Sequence, residues 1–231
     1  MKLKQKLRVL GRPLMVATVD TPKGLRSAIK LGGKAGDLIE IRLDCLVSNI
    51  EMLEKLLPQL RPPILLTARH PREGGAENLS LPLRRSLLEK FLPWAAAIDV
   101  ELRSTSAMSA LLKEAGKKDV LKIFSFHDFQ RTPGLPKIAS LVEAAKNGGA
   151  DVLKIATTLS KARDLSTLVT CQGSAGRLPV AAMGMGPLGR VSRLTLAACG
   201  SALSYGYLDR AQVPGQWPVE KLAQRLKEVL P

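Results

Sequence analysis

Eight short apolar runs alternate with eight segments of helical period along the chain, and this alternation restricts the fold more than any other feature. The runs predict strands at residues 14–19, 38–44, 63–69, 97–103, 121–127, 151–157, 179–185 and 202–208. The segments at 23–32, 49–60, 83–92, 106–115, 135–147, 160–169, 188–200 and 218–230 space their apolar residues three and four apart and predict helices. Glycine pairs punctuate the joins, as at Gly32-Gly33 and Gly148-Gly149. Eight strand–helix units in 231 residues predict an α/β protein, a (β/α)8 TIM barrel forming a single catalytic domain over residues 1–231. An open doubly wound sheet is the competing arrangement.

Aromatic residues make up only 3% of the chain against 45% apolar residues, so the core must rest on Leu, Ile, Val and Ala. No apolar run reaches the ~18 residues of a membrane span, and Met1 to Leu10 lacks the apolar stretch of a signal peptide. No membrane partner and a cytoplasmic location are therefore expected. Cys45, Cys171 and Cys199 are widely spaced, without a CxxC pair or a neighbouring histidine, and are expected to be free thiols. With only His70 and His127 besides, no metal site and no cofactor are expected. The formal charge of +15 is spread through the sequence and is not interleaved with aromatic rings. It predicts a solvated basic surface that draws small anions towards a cleft, and no specific nucleic-acid partner.

A barrel gathers functional side chains at the carboxyl ends of its strands. Glu40, Arg42 and Asp44 alternate along the second strand, so all three share one face, and facing the outer helices would be costly for three charges. They are expected to point inward. Asp99, Glu101 and Arg103 repeat the pattern on the fourth strand, either as a structural ion-pair network or as part of a site. Arg69 ends the third strand, ahead of the loop His70-Pro71-Arg72-Glu73-Gly74-Gly75, in which His70 is expected to be exposed; His127 ends the fifth.

Lys154 lies in the apolar run Asp151-Val152-Leu153-Lys154-Ile155-Ala156-Thr157, with Val152, Lys154 and Ala156 on the axial face. An ammonium buried there has a large desolvation cost, which favours the neutral amine, and a neutral amine can attack a ketone or aldehyde to form an imine. Arg42 and Arg69, expected at the same end of the barrel, would also disfavour the ammonium. The plainer reading is a strand-edge lysine whose head reaches water.

Six separated motifs resemble those of type I 3-dehydroquinate dehydratase: Glu40-Ile41-Arg42-Leu43-Asp44; Thr67-Ala68-Arg69 with Glu73-Gly74-Gly75; Ser125-Phe126-His127-Asp128-Phe129; Leu153-Lys154-Ile155-Ala156; Met183-Gly184-Met185 with Gly189 and Ser192-Arg193; and Pro214-Gly215-Gln216. The resemblance implies a (β/α)8 barrel, usually a homodimer, that converts 3-dehydroquinate to 3-dehydroshikimate in the shikimate pathway, towards aromatic amino acids, without metal or cofactor. It implies that Lys154 forms the Schiff base and that His127, oriented by Glu73, is the general acid and base. Arg193 and Gln216 would then hold the substrate carboxylate, and Glu40, Arg42 and Arg69 the ring hydroxyls. Where the family has a small hydroxyl residue four positions before the loop glutamine, this chain has Gln212, which would contact substrate through its amide. The loop 208–218 is expected to close over the site, with Gly215 supplying backbone freedom. A class I aldolase would share the lysine, and a basic nucleic-acid-binding module would account for the charge alone.

Overall fold

The computed structural model describes residues 3–230. Its nine parallel strands are β1 (Leu14–Val19), β2 (Leu38–Arg42), β3 (Ile64–Thr67), β4 (Ala95–Glu101), β5 (Leu121–Asp128), β6 (Val152–Thr158), β7 (Val180–Met185), β8 (Leu203–Tyr207) and the two-residue β9 (Trp217–Pro218). They run in the order β7-β6-β5-β4-β3-β2-β1-β8-β9 and curl into a TIM barrel. At the seam between β7 and β8, Ala202 N–H donates to Val180 O at 2.8 Å and Ala182 N–H to Ser201 Oγ at 3.1 Å.

Helices α1 (Leu3–Val9), α2 (Pro22–Leu31), α3 (Ile50–Leu56), α4 (Leu81–Phe91), α5 (Ser109–Lys117), α6 (Leu135–Asn147), α7 (Ala162–Ser174), α8 (Gly189–Ala198) and α9 (Val219–Val229) accompany the sheet. Local chemistry sets their ends. Thr21 Oγ1 accepts from Gly24 N–H at 2.9 Å to cap α2 ahead of Pro22, and Gly32 ends that helix at φ 55°. The predicted helix 49–60 stops early as α3, because Pro58 has no N–H to continue the ladder and a 3-10 turn follows.

Three strand predictions ran two residues too long at the carboxyl end, the third ending as β3 at Thr67 and not at Arg69. β2 ends at Arg42, though Asp44 stays buried in the following turn, and β4 ends at Glu101. Arg103 therefore leaves the shared face and is exposed in a 3-10 turn. α1 is an element the sequence reading lacked. Its Leu3 and Leu7, with Leu10 just beyond its end, pack against the apolar floor of the barrel, and Lys4 Nζ pairs with Asp151 at 3.2 Å.

Period two decides what faces the axis. Val16, Leu38, Leu65, Ala97, Ile123 and Val152 form one inner cluster, while alternate residues such as Ile39, Ile41, Leu66 and Ile98 pack outward against helices. Leu153 and Ile155 also face outward, beside Val152 and Ala156 facing in, as expected. The three cysteines are free thiols. No helix among the described residues is long and apolar enough to cross a membrane.

Candidate active site

Two residues beyond that inner cluster the barrel turns polar. Thr18, Glu40, Arg42, Arg69, Glu73, His127, Lys154, Arg193, Tyr205, Gln212 and Gln216 line one cavity at the carboxyl ends of the strands, with Ala156, Met183, Met185 and Val213 as its apolar wall. All nine candidates named from sequence meet there.

Lys154 is 4% exposed. Its Nζ donates to Asp99 Oδ2 at 2.9 Å, lies 3.5 Å from Glu40 Oε1 and sits 4.1 Å above the ring centre of Tyr205. The charges touching the ammonium are therefore carboxylates, and the guanidinium neighbours expected from sequence are committed elsewhere. Arg69 Nη1 and Nη2 grip Asp99 at 2.9 and 2.7 Å, and Nη1 also reaches Glu101 at 3.0 Å and Ser125 Oγ at 2.7 Å. Burial opposes ionisation of Asp99, yet Arg69 and Lys154 hold its carboxyl well below the usual range. Glu40 is held from both sides, accepting from Thr18 Oγ1 and Thr67 Oγ1 at 2.9 Å each.

His127 and Glu73 form a second unit. Glu73 Oε2 accepts the His127 backbone N–H at 3.0 Å and lies 3.1 Å from its Nδ1, leaving Nε2 as the other ring nitrogen on the cavity side. Burial pushes the imidazole pKa well below its ordinary 6.5, and Arg69 and Lys154 add to this, so the ring is neutral at pH 7. Burial lifts Glu73 to about 7, against the pull of Arg69.

The turn that delivers Glu73 needs its two glycines. A Cβ on Gly74, at φ 85°, would meet the Phe129 ring at 2.5 Å, and one on Gly75 would lie 2.5 Å from Arg69 O. His70 stays outside the cavity, half-buried, and its Nδ1 accepts from Arg72 N–H at 3.0 Å to start that turn.

Arg42 is held by Asp44 through Nε at 2.9 Å and Nη2 at 2.6 Å, while Nη2 also meets Gly74 O. Its Nη1 donates to Gln212 Oε1 at 2.5 Å, so the long glutamine ties the roof loop to β2. Gln216 Oε1 accepts from Gln212 N–H at 2.8 Å, and Gly186 N–H donates to Pro214 O at 3.1 Å. Gly215, at φ 85°, passes so close to Gly189 that a Cβ would lie 2.7 Å from its Cα. The loop is thus closed over the cavity. Beneath it, Arg193 is 4% exposed and, among the described residues, donates only to Tyr205 O and Gly215 O, and burial draws its pKa down to about 10. A buried guanidinium without a carboxylate among the described residues is suited to an anion.

Sequence reasoning missed Arg84, Ser125, Thr18, Thr67 and Tyr205. Arg84 is 1% exposed, donates to Ala68 O at 2.8 Å and pairs with Glu101. Its signal was available: with Leu87, Leu88 and Phe91 it occupies the buried stripe of α4. Ser125 and Tyr205 lie on inward positions of β5 and β8, as strand alternation would have placed them. Among the described residues no group of three His, Cys, Asp or Glu is arranged to hold a metal ion.

Residues 14–229 match the family model of type I 3-dehydroquinase. The chain is 32% identical over 216 residues to a 3-dehydroquinate dehydratase of Methanocella arvoryzae, covering 93% of this chain and 96% of that protein. It is 33% identical over 211 residues to a catabolic 3-dehydroquinate dehydratase of Acinetobacter baylyi, covering 86% of this chain and 78% of the relative. The fold superimposes on the type I 3-dehydroquinate dehydratase of Clostridium difficile, solved with covalently modified comenic acid, with a TM-score of 0.84, 29% identity and coverage of 94% and 92% of the two chains. A carboxyl transferase domain of Rhizobium etli pyruvate carboxylase shares the fold alone, at 13% identity and a TM-score of 0.70. By sequence along nearly its whole length and by the shape of its barrel, the chain belongs to the type I 3-dehydroquinase family.

Proposed function

We propose that this chain is a hydro-lyase that dehydrates 3-dehydroquinate to 3-dehydroshikimate through an imine on Lys154. The observation that carries this reading is a buried lysine sharing one cavity with a neutral, carboxylate-held histidine and an unpaired arginine. Family membership supports the substrate.

The lysine supplies what the reaction lacks in water. A proton next to a ketone is hard to remove, whereas a protonated imine accepts the resulting electron pair. Nζ lies against Asp99 and Glu40, so a proton must leave the ammonium before the amine attacks the ketone carbon. The carbonyl oxygen then departs as water. His127 Nε2 takes a proton from the adjacent carbon, and the electron pair forms an enamine. The enamine expels the β-hydroxyl, which recovers the proton from His127 and leaves as water. A second water hydrolyses the imine and returns Lys154, so the net loss is one water.

In this reading Glu73 orients His127 through Nδ1 and stabilises the imidazolium formed in mid-turnover. Arg193 and Gln216 hold the substrate carboxylate, and Glu40, Arg42, Arg69 and Gln212 surround the ring hydroxyls, with Arg42 and Arg69 working largely through the groups they already bind. No metal or cofactor takes part. The expected assembly is a homodimer in the cytoplasm, acting on a step of the shikimate pathway.

Treatment with 3-dehydroquinate and borohydride tests the assignment. A reduced adduct should map to Lys154 by peptide mass, and Lys154→Ala should lose both adduct and turnover, the latter by at least about 10⁴-fold. Turnover by the alanine variant at anything near the native rate would end the imine mechanism.

A further inference from the structure

Two buried donors on the cavity wall have no partner among the described residues: the phenol oxygen of Tyr205 and Nε2 of Gln212. The amide is explained by its other end, since Arg42 offers only donors and so turns Oε1 towards itself. Tyr205 has no such excuse. It is 3% exposed, faces the barrel axis from β8, and its ring lies under Nζ of Lys154 at 4.1 Å. A phenylalanine would fill that space without leaving a hydroxyl stranded, and buried polar groups without partners are uncommon because they cost stability.

The two carboxylates whose charge bears on the phenol hold other donors, and neither is hydrogen-bonded to it. Glu40 receives Thr18 and Thr67, and Asp99 receives Arg69, Ser125 and Lys154. Burial, then Glu40 and Asp99, push the phenol pKa well above 10, against Arg69, so the group remains a protonated donor throughout the working range of pH. An O–H at the end of the ring that Nζ overlies, on the wall of the same cavity and without an acceptor among the described residues, is available to an oxygen on whatever Lys154 attacks.

We propose that Tyr205 is a further catalytic residue of the reaction assigned above, donating its phenol O–H to the oxygen of the ketone as Lys154 attacks it. As the new C–N bond forms, that oxygen gains negative charge, and a donor already in place stabilises it without reorganisation. Ammonium plus ketone gives iminium plus water, so both hydrogens of the departing water originate on Nζ. Tyr205 lends a hydrogen bond and keeps its proton. The role differs from that of His127, which works on the neighbouring carbon after the imine exists.

The inference rests on the dehydratase reading, and Tyr205→Phe separates the two. The variant keeps the ring beneath Nζ and removes one oxygen. Imine formation is timed in a single turnover with 3-dehydroquinate, quenched with borohydride and read by intact mass, alongside the thermal midpoint of the protein. Imine formation should slow by about 10²-fold, as when one donor to a developing oxyanion is lost. The thermal midpoint should hold or rise, because an unpaired hydroxyl has been removed. A native rate of imine formation in Tyr205→Phe would overturn the proposal, and so would a fall in midpoint with the rate preserved, which would make the hydroxyl structural. If the native protein itself forms no adduct, the dehydratase reading fails and takes this one with it.

Discussion

The floor and the mouth of the barrel interior are made by the same strands, and a step of two residues separates hydrocarbon from charge. Val16, Leu38, Leu65, Ala97, Ile123 and Val152 fill the floor; Thr18, Glu40, Thr67, Asp99, Ser125 and Lys154 follow them in the layer above. The floor is self-sufficient, closed from below by the leucines of α1. The mouth is held as a network, because its ions are desolvated and, Arg193 apart, are matched by a neighbour of opposite charge. Shape is thus secured at one end of each strand, and chemistry can be carried at the other.

Removing a group from the mouth should therefore cost rate, and removing one from the floor should cost stability. The largest contrast is expected with His127→Ala. Its turnover should fall by about 10²–10⁴-fold, the usual worth of a general acid or base, with little loss of stability. Imine on Lys154 should still accumulate and be trapped by borohydride. Failure to form the adduct would move His127 to an earlier step.

Arg84 breaks the simple division, since it belongs to the mouth but touches no part of the cavity. Leu121→Ala in the floor is expected to lower stability by about 2–5 kcal/mol through its cavity, leaving the activity of the folded fraction intact. Arg84→Ala should cost about 3–5 kcal/mol as well, because Glu101 would keep only Arg69 as its cationic partner. Denaturant midpoints of the two variants decide it. An Arg84→Ala protein as stable as the native one would mean that the network above the floor is looser than its distances imply.

The same contrast explains what could be read from sequence. The barrel was legible because its strands, buried on both faces, are apolar runs bounded by glycine and proline, and because Glu40, Arg42 and Lys154 interrupt them at positions period two turns inward. Pairing was not legible. Lys154 meets Asp99 and Glu40, which come from strands far away in the chain, and the sequence alone pointed to arginine neighbours instead. α1 escaped because seven residues rich in lysine carry too short a periodic signal, and only the barrel floor gives their leucines somewhere to go. The depressed histidine and elevated glutamate are likewise products of burial, which no local motif encodes.

That last pair gives the smallest and most specific prediction. His127 has a folded pKa below its ordinary 6.5, so its contribution to stability is present above that value and is lost as pH falls below it. Glu73 has a folded pKa of about 7, above its ordinary 4.5, so its contribution is present below 4.5 and is lost as pH rises towards 7. Below pH 6.5 the two slopes oppose each other, because folding takes a proton from histidine and places one on glutamate. Glu73→Gln should remove one of them. Stability of the variant, followed by denaturant midpoint, should then fall more steeply than that of the native protein as pH drops below 6.5, by at most about 1.4 kcal/mol per pH unit. The native kcat is expected to rise with pH around 7, where Glu73 ionises to the carboxylate that stabilises the imidazolium, and the same substitution should abolish that rise. Unchanged slopes in both measurements would show that His127 and Glu73 do not exchange this proton, and the mouth would have to be redrawn with a charged histidine.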